Sequence, residues 1–285
     1  MNHNDEPVYV GRDFGGRSLE IDRGLVEKFS AAVGDHNLLY HRVAPGLILH
    51  SECYRDLSWY LKNIFGNLHA RQQWELFAEV PVEAAVTTRG FIRERYRKRG
   101  RDYVVKETWT LDGGGRLLNR GITHQSFLIE TPDAEERTDA VTKGGKEERP
   151  PRRSDITAGS GVPLDPLSKR VDEGMCMRFS GPDLNYHTDR ESARAFGFPD
   201  IVIQGMLPIC FISELLTRDF GHGWLAGGRM DVRLVNVLWA NETVSVRAER
   251  IGETAEADRR RTALNVWVEK EDGAKVVVGT ASALA

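Results

Sequence analysis

A charged segment that is almost free of large apolar side chains divides this chain into two parts of similar length. It runs over residues 131–155 and contains the pair Pro150–Pro151. A segment of this composition buries too little apolar surface to offset the entropy lost on ordering, so it is predicted to be a linker. The sequence therefore predicts three parts: an N-terminal domain over residues 1–130, a charged linker over 131–155, and a C-terminal domain over 156–285.

The part before the linker begins with helical patterns and ends with strand-like ones. Apolar residues at helical spacing behind Asp22 predict a short capped helix over 22–32, and an apolar stretch predicts a second helix over 43–61. Beyond Ala78 the alternation of apolar and polar residues predicts antiparallel strands, with a hairpin turn at Gly113–Gly115.

The same order recurs after the linker. An apolar helix is predicted over 205–219, and four strand-like segments follow it, with a hairpin turn at Asp272–Gly273. A helix followed by antiparallel strands, present twice, indicates an internal duplication within the α+β class.

Composition and charge exclude several classes of partner. Lys and Arg number 39 against 42 for Asp and Glu, and the Arg-rich stretch 89–101 alternates with apolar residues as the solvated face of a strand pair does. We therefore expect no nucleic-acid partner. The longest apolar run, 201–216, is interrupted by polar residues and Pro, and the N-terminus lacks signal architecture, so we expect a cytoplasmic protein without a membrane partner.

The cysteine and histidine spacings do not predict a metal site or a disulfide. Cys53, Cys176 and Cys210 lie far apart in apolar surroundings, so buried free thiols are expected. His36, His41 and His50 do not form a recognisable zinc-binding set with acidic partners.

Candidate chemical groups are concentrated in residues 177–216. A predicted turn holds Asp183, Asn185 and His187, and an apolar helix begins near Gly205. Asp and Asn are favoured in turns for local hydrogen bonding alone, which gives the turn a purely structural interpretation. The other interpretation is an acid/base pair beside a helix start that attracts negative charge. The residues alone favour the structural interpretation.

A resemblance to a known protein family favours the acid/base interpretation of this turn. The segment 179–205, FSGPDLNYHTDRESARAFGFPDIVIQG, resembles the signature of the MaoC-like dehydratase and (R)-specific enoyl-CoA hydratase family, in which Ser-Gly-Asp-x-Asn-Pro-aliphatic-His precedes a central helix. The earlier segment FSAAVGDHNLLY, followed by APGL, resembles the N-terminal half of family members that contain two such units. The resemblance implies a double hot-dog fold, in which two antiparallel sheets each wrap around a central helix.

The resemblance also implies a function and a site. The reaction would be the reversible hydration or dehydration of an enoyl or 3-hydroxyacyl thioester, which makes the protein a hydro-lyase. Asp183 and His187 would be the catalytic pair, and the substrate would bind to Asn185, Gln204, Gly205 and Met206. Coenzyme A or an acyl carrier protein would carry the acyl group, and the reaction would use no cofactor and no metal.

The chain departs from the family signature at two places. Pro182 stands where the signature has Asp, so Asp183 precedes His187 by four residues instead of five. In the first part, Tyr40 stands at the position of the His, and His41 lies one residue beyond it. The first part would then shape an acyl tunnel instead of carrying the chemistry.

Two other functions stay open. Hot-dog thioesterases usually place a lone carboxylate on the central helix, where Glu214 is the only obvious candidate. A chain that has lost its catalytic pair would instead be a non-catalytic acyl-thioester-binding subunit, and Pro182 favours this function. Because two fused units supply the pairing that single units obtain by dimerising, one chain would suffice, and a homodimer would be a further level of assembly.

Overall fold

The computed structural model describes residues 8–55, 67–98, 100–128 and 161–285. The predicted linker over 131–155 lies outside these residues. The elements of the first half are β1 (Asp13–Ile21), α1 (Arg23–Val33), two 3₁₀ helices (Leu38–His41 and His50–Cys53), β2 (Leu68–Leu76), β3 (Ala84–Lys98), β4 (Arg101–Leu111) and β5 (Leu117–Leu128).

The second half contains more helix. Its elements are β6 (Val162–Pro163), β7 (Leu167–Arg170), α2 (Glu173–Ser180), α3 (Arg190–Ala195), α4 (Met206–Phe220), α5 (His222–Leu225), β8 (Arg229–Leu234), β9 (Thr243–Glu256), β10 (Arg259–Lys270) and β11 (Lys275–Leu284).

The strands of both halves form one antiparallel sheet instead of two separate ones. The strand order is β1-β3-β4-β5-β2-β8-β11-β10-β9-β6, and β7 also pairs with β9. The halves meet where β2 pairs with β8, with Trp74 opposite Met230. Beside this pair, the Arg71 guanidinium donates from Nε to Asp231 Oδ1 at 2.7 Å, and its Nη2 donates to the other carboxylate oxygen. The main-chain ladder and this forked ion pair fix the two halves in register.

Both halves begin their helical part with the same capping interaction. Asp22 accepts a hydrogen bond from the main-chain N–H of Leu25 at 2.7 Å, as the sequence predicts, and α1 follows. Asp172 accepts one from Met175 at 2.7 Å, and α2 follows. An aspartate at this position satisfies one of the N–H groups that a helix start leaves unpaired. The matching caps are local evidence for the internal duplication.

The predicted α-helix over 43–61 is wrong for its described part, 43–55. Main-chain hydrogen bonds there span three residues, from Ile48 to Pro45, His50 to Leu47 and Glu52 to Leu49, which is the 3₁₀ pattern. The chain is tightly held against β2, because a Cβ on Gly46 would lie 2.9 Å from Leu76 Cδ1. Residues 56–61 lie outside the described residues.

We call the side of the sheet that faces these helices the inner face. In the second half α4 covers it, and the inner face is aliphatic, with buried side chains that include Met230, Val232, Val246, Leu264, Val266, Val268 and Ala281. Nearly every residue of α4 from Met206 to Thr217 is buried as well. A helix that is apolar on most of its circumference is stable only when it is enclosed, so α4 is the centre of the core.

The inner face of the first half has a different chemistry. The 3₁₀ helix His50–Cys53 packs on it, where Thr88 Oγ1 donates to Glu52 Oε2 at 3.0 Å and Lys106 Nζ donates to Glu52 O at 2.7 Å. Further buried polar side chains on the same face are Gln72, Thr108, Thr123 and Gln125. The duplicated architecture therefore encloses two unlike interiors.

The close approach of β11 to β8 depends on a glycine. A Cβ on Gly279 would overlap the main-chain oxygen of Asp231 and would lie 2.7 Å from Val232 Cα. We expect Gly279→Ala to lower the free energy of unfolding by about 2 kcal/mol, because the main chains must separate. Urea denaturation measures this, with Gly252→Ala as the control, since nothing lies within 4 Å of a Cβ there. Equal stability of the two variants would contradict the packing described.

Candidate active site

The turn that follows α2 is held together by the side chain of Asn185. Its Oδ1 accepts from the main-chain N–H of His187 at 2.8 Å, and its Nδ2 donates to the main-chain oxygens of Asp183 at 3.0 Å and Ser180 at 3.3 Å. Thr188 Oγ1 adds a hydrogen bond to Asp183 O at 2.9 Å. Both amide hydrogens of Asn185 are thus used inside the turn, and its contribution is to position His187.

His187 has one fixed ring nitrogen. Its Nδ1 lies 2.7 Å from the main-chain oxygen of Val202, so Nδ1 carries the hydrogen and Nε2 carries the lone pair. The ring is partly buried, and burial lowers the pKa of His187 to about 4. At neutral pH the side chain is therefore an uncharged base whose proton-accepting atom is known.

Asp183 lies in the same turn but differs in environment. The residue is exposed, and within the described part of the chain its carboxylate has no hydrogen-bond partner. Asp189, two residues beyond His187, accepts from the Ser192 N–H at 2.7 Å and caps α3. The turn thus brings Asp183, Asn185 and His187 together, with one carboxylate available to solvent.

The segment that holds His187 also leads into α4. Val202 is three residues before Gly205, and the next residue, Ile203, donates its N–H to Leu238 O at 2.9 Å. In the described part of the chain, the N–H groups of Gly205 and Met206 have no hydrogen-bond partner, as expected at a helix start. These unpaired donors and the helix dipole make the start of α4 favourable for negative charge.

The packing around residue 205 requires a glycine. A Cβ there would lie 2.5 Å from Leu234 Cδ2 and 3.2 Å from His69 Nδ1, so β8 and β2 occupy the space that a side chain would need. The side chain of Met206 is 1% exposed and lies in the core. Gly205 and Met206 were both predicted to bind the substrate, and in each only main-chain atoms are positioned to contact a ligand.

Gln204 connects the two halves at this point. Its Oε1 lies 3.5 Å from Ser180 Oγ at the end of α2, and Tyr54 of the first half hydrogen-bonds to the same side chain. His50 stacks on Phe179 with ring centroids 4.6 Å apart and planes 15° apart. Tyr54 and His69 are not among the residues predicted from the sequence, and His50 enters there only as a rejected zinc ligand. No local pattern could have found them, because each meets residues more than 120 positions away.

The corresponding turn of the first half has no histidine in this role. Tyr40 donates from its hydroxyl to Asp35 Oδ2 at 2.6 Å, and both residues are buried. Burial raises the pKa of the Asp35 carboxyl and that of the Tyr40 hydroxyl. His41 is exposed beside this pair. The substitution of His by Tyr therefore leaves a hydrogen-bonded buried pair in place of a base.

Glu214 on α4 is a largely buried carboxylate. Lys169 Nζ donates to Glu214 Oε1 at 2.7 Å and to Gly34 O at 2.9 Å, which links α4 to the end of α1. Burial raises the pKa of Glu214 to about 7 although Lys169 opposes the shift. This carboxylate is committed to an ion pair within the second half, and its partner Lys169 makes the contact with the first half through Gly34 O.

The described residues contain no group of three or more His, Cys, Asp or Glu side chains arranged to hold a metal ion. In the same part of the chain, no helix combines the length and the apolar composition that crossing a membrane requires. The three cysteines are free and buried, as the sequence predicts.

The turn, His187 and α4 all lie within residues 157–271, which match the family model of the MaoC-like domain. Residues 157–271 are a MaoC-like domain. No curated protein sequence matches the chain.

Solved structures resemble nearly the whole molecule, including the half that precedes the MaoC-like domain. A MaoC-like dehydratase superposes with a TM-score of 0.73 at 17% identity, with 96% of this chain and 98% of the other covered. A MaoC-like dehydratase from Phytophthora capsici gives a TM-score of 0.70 at 15% identity, with coverages of 96% and 95%. A conserved hypothetical protein from Mycobacterium tuberculosis with a double hotdog fold gives 0.64 at 17% identity, with coverages of 97% and 96%. The expected double hot-dog fold is confirmed.

The buried histidines predict how stability depends on pH. Burial lowers the pKa of His50 to about 4, against 6.5 for an unperturbed histidine. Between these values the unfolded chain binds a proton that the folded chain does not, so stability falls as the pH falls from 6.5 towards 4. We expect His50→Phe to keep the stack on Phe179 and to reduce the loss of stability between pH 7.5 and 5.5 by about 1 kcal/mol.

Urea denaturation at the two pH values measures this difference. The exposed His36, replaced by Gln, is the control and keeps the pH dependence of the unchanged protein. An unaltered pH dependence in His50→Phe would contradict a neutral, buried His50.

Proposed function

We propose that this protein catalyses the reversible hydration or dehydration of an enoyl or 3-hydroxyacyl thioester. The observation that carries this proposal is the state of His187, whose Nδ1 donates to Val202 O and whose Nε2 is left as an uncharged base. The same segment leads directly into the start of α4, where negative charge is favoured. A base and a site for developing negative charge are two of the three needs of this reaction, the third being a proton for the α carbon.

In the proposed mechanism His187 Nε2 accepts a proton from a water molecule as its oxygen attacks the β carbon. Asp183, which is exposed to solvent, relays a proton from solvent to the α carbon, and His187 then releases to solvent the proton that it took from the water, so that one water molecule is added overall; dehydration is the reverse. Positioned acid/base groups of this kind typically contribute about 10² to 10⁴ in rate. Asn185 acts in this scheme through His187, since it fixes the main chain of that residue.

Negative charge develops on the thioester oxygen during attack. The unpaired N–H groups of Gly205 and Met206 are the proposed donors to this oxygen. Gln204, which Ser180 and Tyr54 hold from two sides, lines the same region. The C-terminal domain proposed over 156–285 thus carries the chemistry, and that over 1–130 accommodates the acyl group of a thioester of coenzyme A or an acyl carrier protein.

One observation favours a second function, the binding of acyl thioesters without turnover. Asp183 is exposed and, within the described residues, unpaired, and Pro182 stands at the position where the family signature has its carboxylate. Thioester hydrolysis through Glu214 has less support, because Lys169 already binds this carboxylate. A measurement of enoyl-thioester turnover therefore distinguishes hydration from binding without catalysis.

The test is the hydration of a panel of short and long trans-2-enoyl-CoA thioesters, followed by the loss of the enoyl absorbance. We expect His187→Ala to lower kcat at least about 100-fold, because no other base replaces Nε2. Asp183→Asn is expected to lower kcat by a similar factor. His41→Ala is the matched control, because it changes the exposed histidine of the first-half turn and leaves kcat unaltered.

Each outcome decides between the functions. Turnover that survives both changes would refute the assigned pair. No turnover by the unchanged protein, together with intact binding of the thioester, would leave the non-catalytic binding function. Release of free thiol would instead indicate hydrolysis.

A further inference from the structure

A cluster of buried charged side chains joins the two halves at the end of α1. Lys169 on β7 donates from Nζ to Gly34 O at 2.9 Å and lies 3.4 Å from Val33 O, and these two oxygens belong to the cap and the last residue of α1. The same nitrogen lies 2.7 Å from each carboxylate oxygen of Glu214 on α4. The side chains of Lys169 and Glu214 are 11% and 13% exposed, so α1, β7 and α4 meet where little water can screen a charge.

A second carboxylate lies in the same cluster. Asp35 directly follows the cap of α1, is 5% exposed and accepts from the Tyr40 hydroxyl at 2.6 Å. Tyr40 also hydrogen-bonds to Thr217, three residues beyond Glu214 on α4. The two carboxylates are therefore connected through neighbouring positions of one helix.

The elements around this cluster contribute groups of both signs. The titratable and charged side chains that act on Glu214 or Asp35 include His36, Tyr40, Lys169, Cys210 and Arg218. Lys169 is the cation that contacts Glu214, whereas the Arg218 guanidinium donates to Asp165 O and to Asp219 Oδ2.

The charges of the cluster balance only if one carboxylate is protonated. Two ionised carboxylates beside one ammonium would leave a negative charge that is buried without compensation, which is strongly unfavourable. One proton makes the cluster neutral. Because the Tyr40 hydroxyl donates to Asp35 and favours its ionised form, the proton resides on Glu214.

We propose that this cluster is a pH-sensitive contact between the two halves, in which Asp35 and Glu214 hold one proton between them near neutral pH and lose it in alkaline solution. Loss of the proton leaves an uncompensated negative charge enclosed between α1, β7 and α4. The contact of α1 with α4 then weakens, because the charge is relieved by admitting water. A rise in pH therefore loosens the first half from the helix whose start forms the candidate active site.

The environment of Glu214 supports a transition in this pH range. Burial raises the pKa of Glu214 to about 7, from 4.5 for an ordinary glutamate, with a further contribution from Asp35 and opposition from Lys169. Between these values the folded chain binds a proton that the unfolded chain does not. The contribution of Glu214 to stability is thus fully present below pH 4.5 and is lost as the pH rises through 7, which is opposite in sign to the effect of His50.

The first test follows Glu214 itself by NMR. The ¹³C shift of its side-chain carboxyl is measured from pH 4 to 9 in protein with labelled glutamate and is assigned with Glu214→Gln. We expect a titration midpoint near 7. Lys169→Met removes the opposing cation and is expected to raise the midpoint by at least about one pH unit. Asp35→Asn removes a like charge and is expected to lower it by at least about half a unit.

Asp258→Asn is the matched control for Asp35→Asn. Asp258 is exposed in the turn between β9 and β10, so the same chemical change there leaves the midpoint of Glu214 unaltered.

The second test follows the contact by hydrogen exchange. The N–H of Gly34 donates to Ser30 O at 2.7 Å and closes α1 beside the cluster. Its protection factor, corrected for the intrinsic effect of pH, is expected to fall at least about fivefold between pH 6 and 8.5. Glu214→Gln abolishes this fall. Gly181 is the internal control, because its N–H donates to Met177 O at 2.9 Å at the matching end of α2 and keeps its protection.

The outcomes decide the proposal without a substrate, so they are independent of the proposed function. A midpoint near 7, moved in opposite directions by Lys169→Met and Asp35→Asn, together with the loss of protection at Gly34, supports it. A midpoint near 4.5 overturns it. Constant protection of Gly34 while Glu214 titrates also overturns it, and this measurement needs only the unchanged protein.

Discussion

The enclosure of α4 is the constraint on which the rest of the structure depends. From Met206 to Thr217 nearly all its residues are buried, and each large apolar side chain among them stabilises the fold by about 1.5 to 3 kcal/mol. A helix of this kind needs cover on all sides, which the curved sheet and the helical segments of both halves supply. Two of its buried hydroxyls have partners inside the core, since Trp224 Nε1 donates to Ser213 Oγ at 2.9 Å and Thr217 Oγ1 donates to Ser213 O at 2.8 Å. Because the helix is fixed so firmly, its start is a rigid place for a site.

The site depends on this rigidity through a short series of contacts. Asn185 fixes the main chain of His187, and Val202 O fixes its ring. Val202 in turn belongs to the segment that pairs with Trp239 and then enters α4. The segment from Val202 to Met206 therefore holds both the His187 ring and the unpaired N–H groups at the start of α4. The first half repeats the turn with Asp35 and Tyr40, but there the hydroxyl and the carboxylate satisfy each other.

Local features of the fold could be predicted because they depend on neighbouring residues. The cap at Asp22 and the turns at Gly113–Gly115 and Asp272–Gly273 are of this kind. The pairing of the two halves was expected from the resemblance, but the choice of β2 and β8 for it and the meeting of His69 with Gly205 could not be predicted, because these contacts arise between distant segments. The turns and the short 3₁₀ helix (His50–Cys53) that replace a helix over 43–55 were missed for the same reason, since packing against β2 outweighs the helical pattern. The turn that holds Asp183, Asn185 and His187 could be predicted from its residues. Its interpretation as an acid/base site required the resemblance to the MaoC-like family.

The central claim is that His187 is an uncharged base with its proton on Nδ1. The most direct test is the ¹⁵N chemical shifts of its imidazole, measured from pH 8 to 5 and assigned with a His187→Gln variant. The account predicts a protonated Nδ1 and an unprotonated Nε2 over this whole range, because burial lowers the pKa to about 4. An imidazolium that forms near pH 6.5, or a proton on Nε2 at neutral pH, would contradict it.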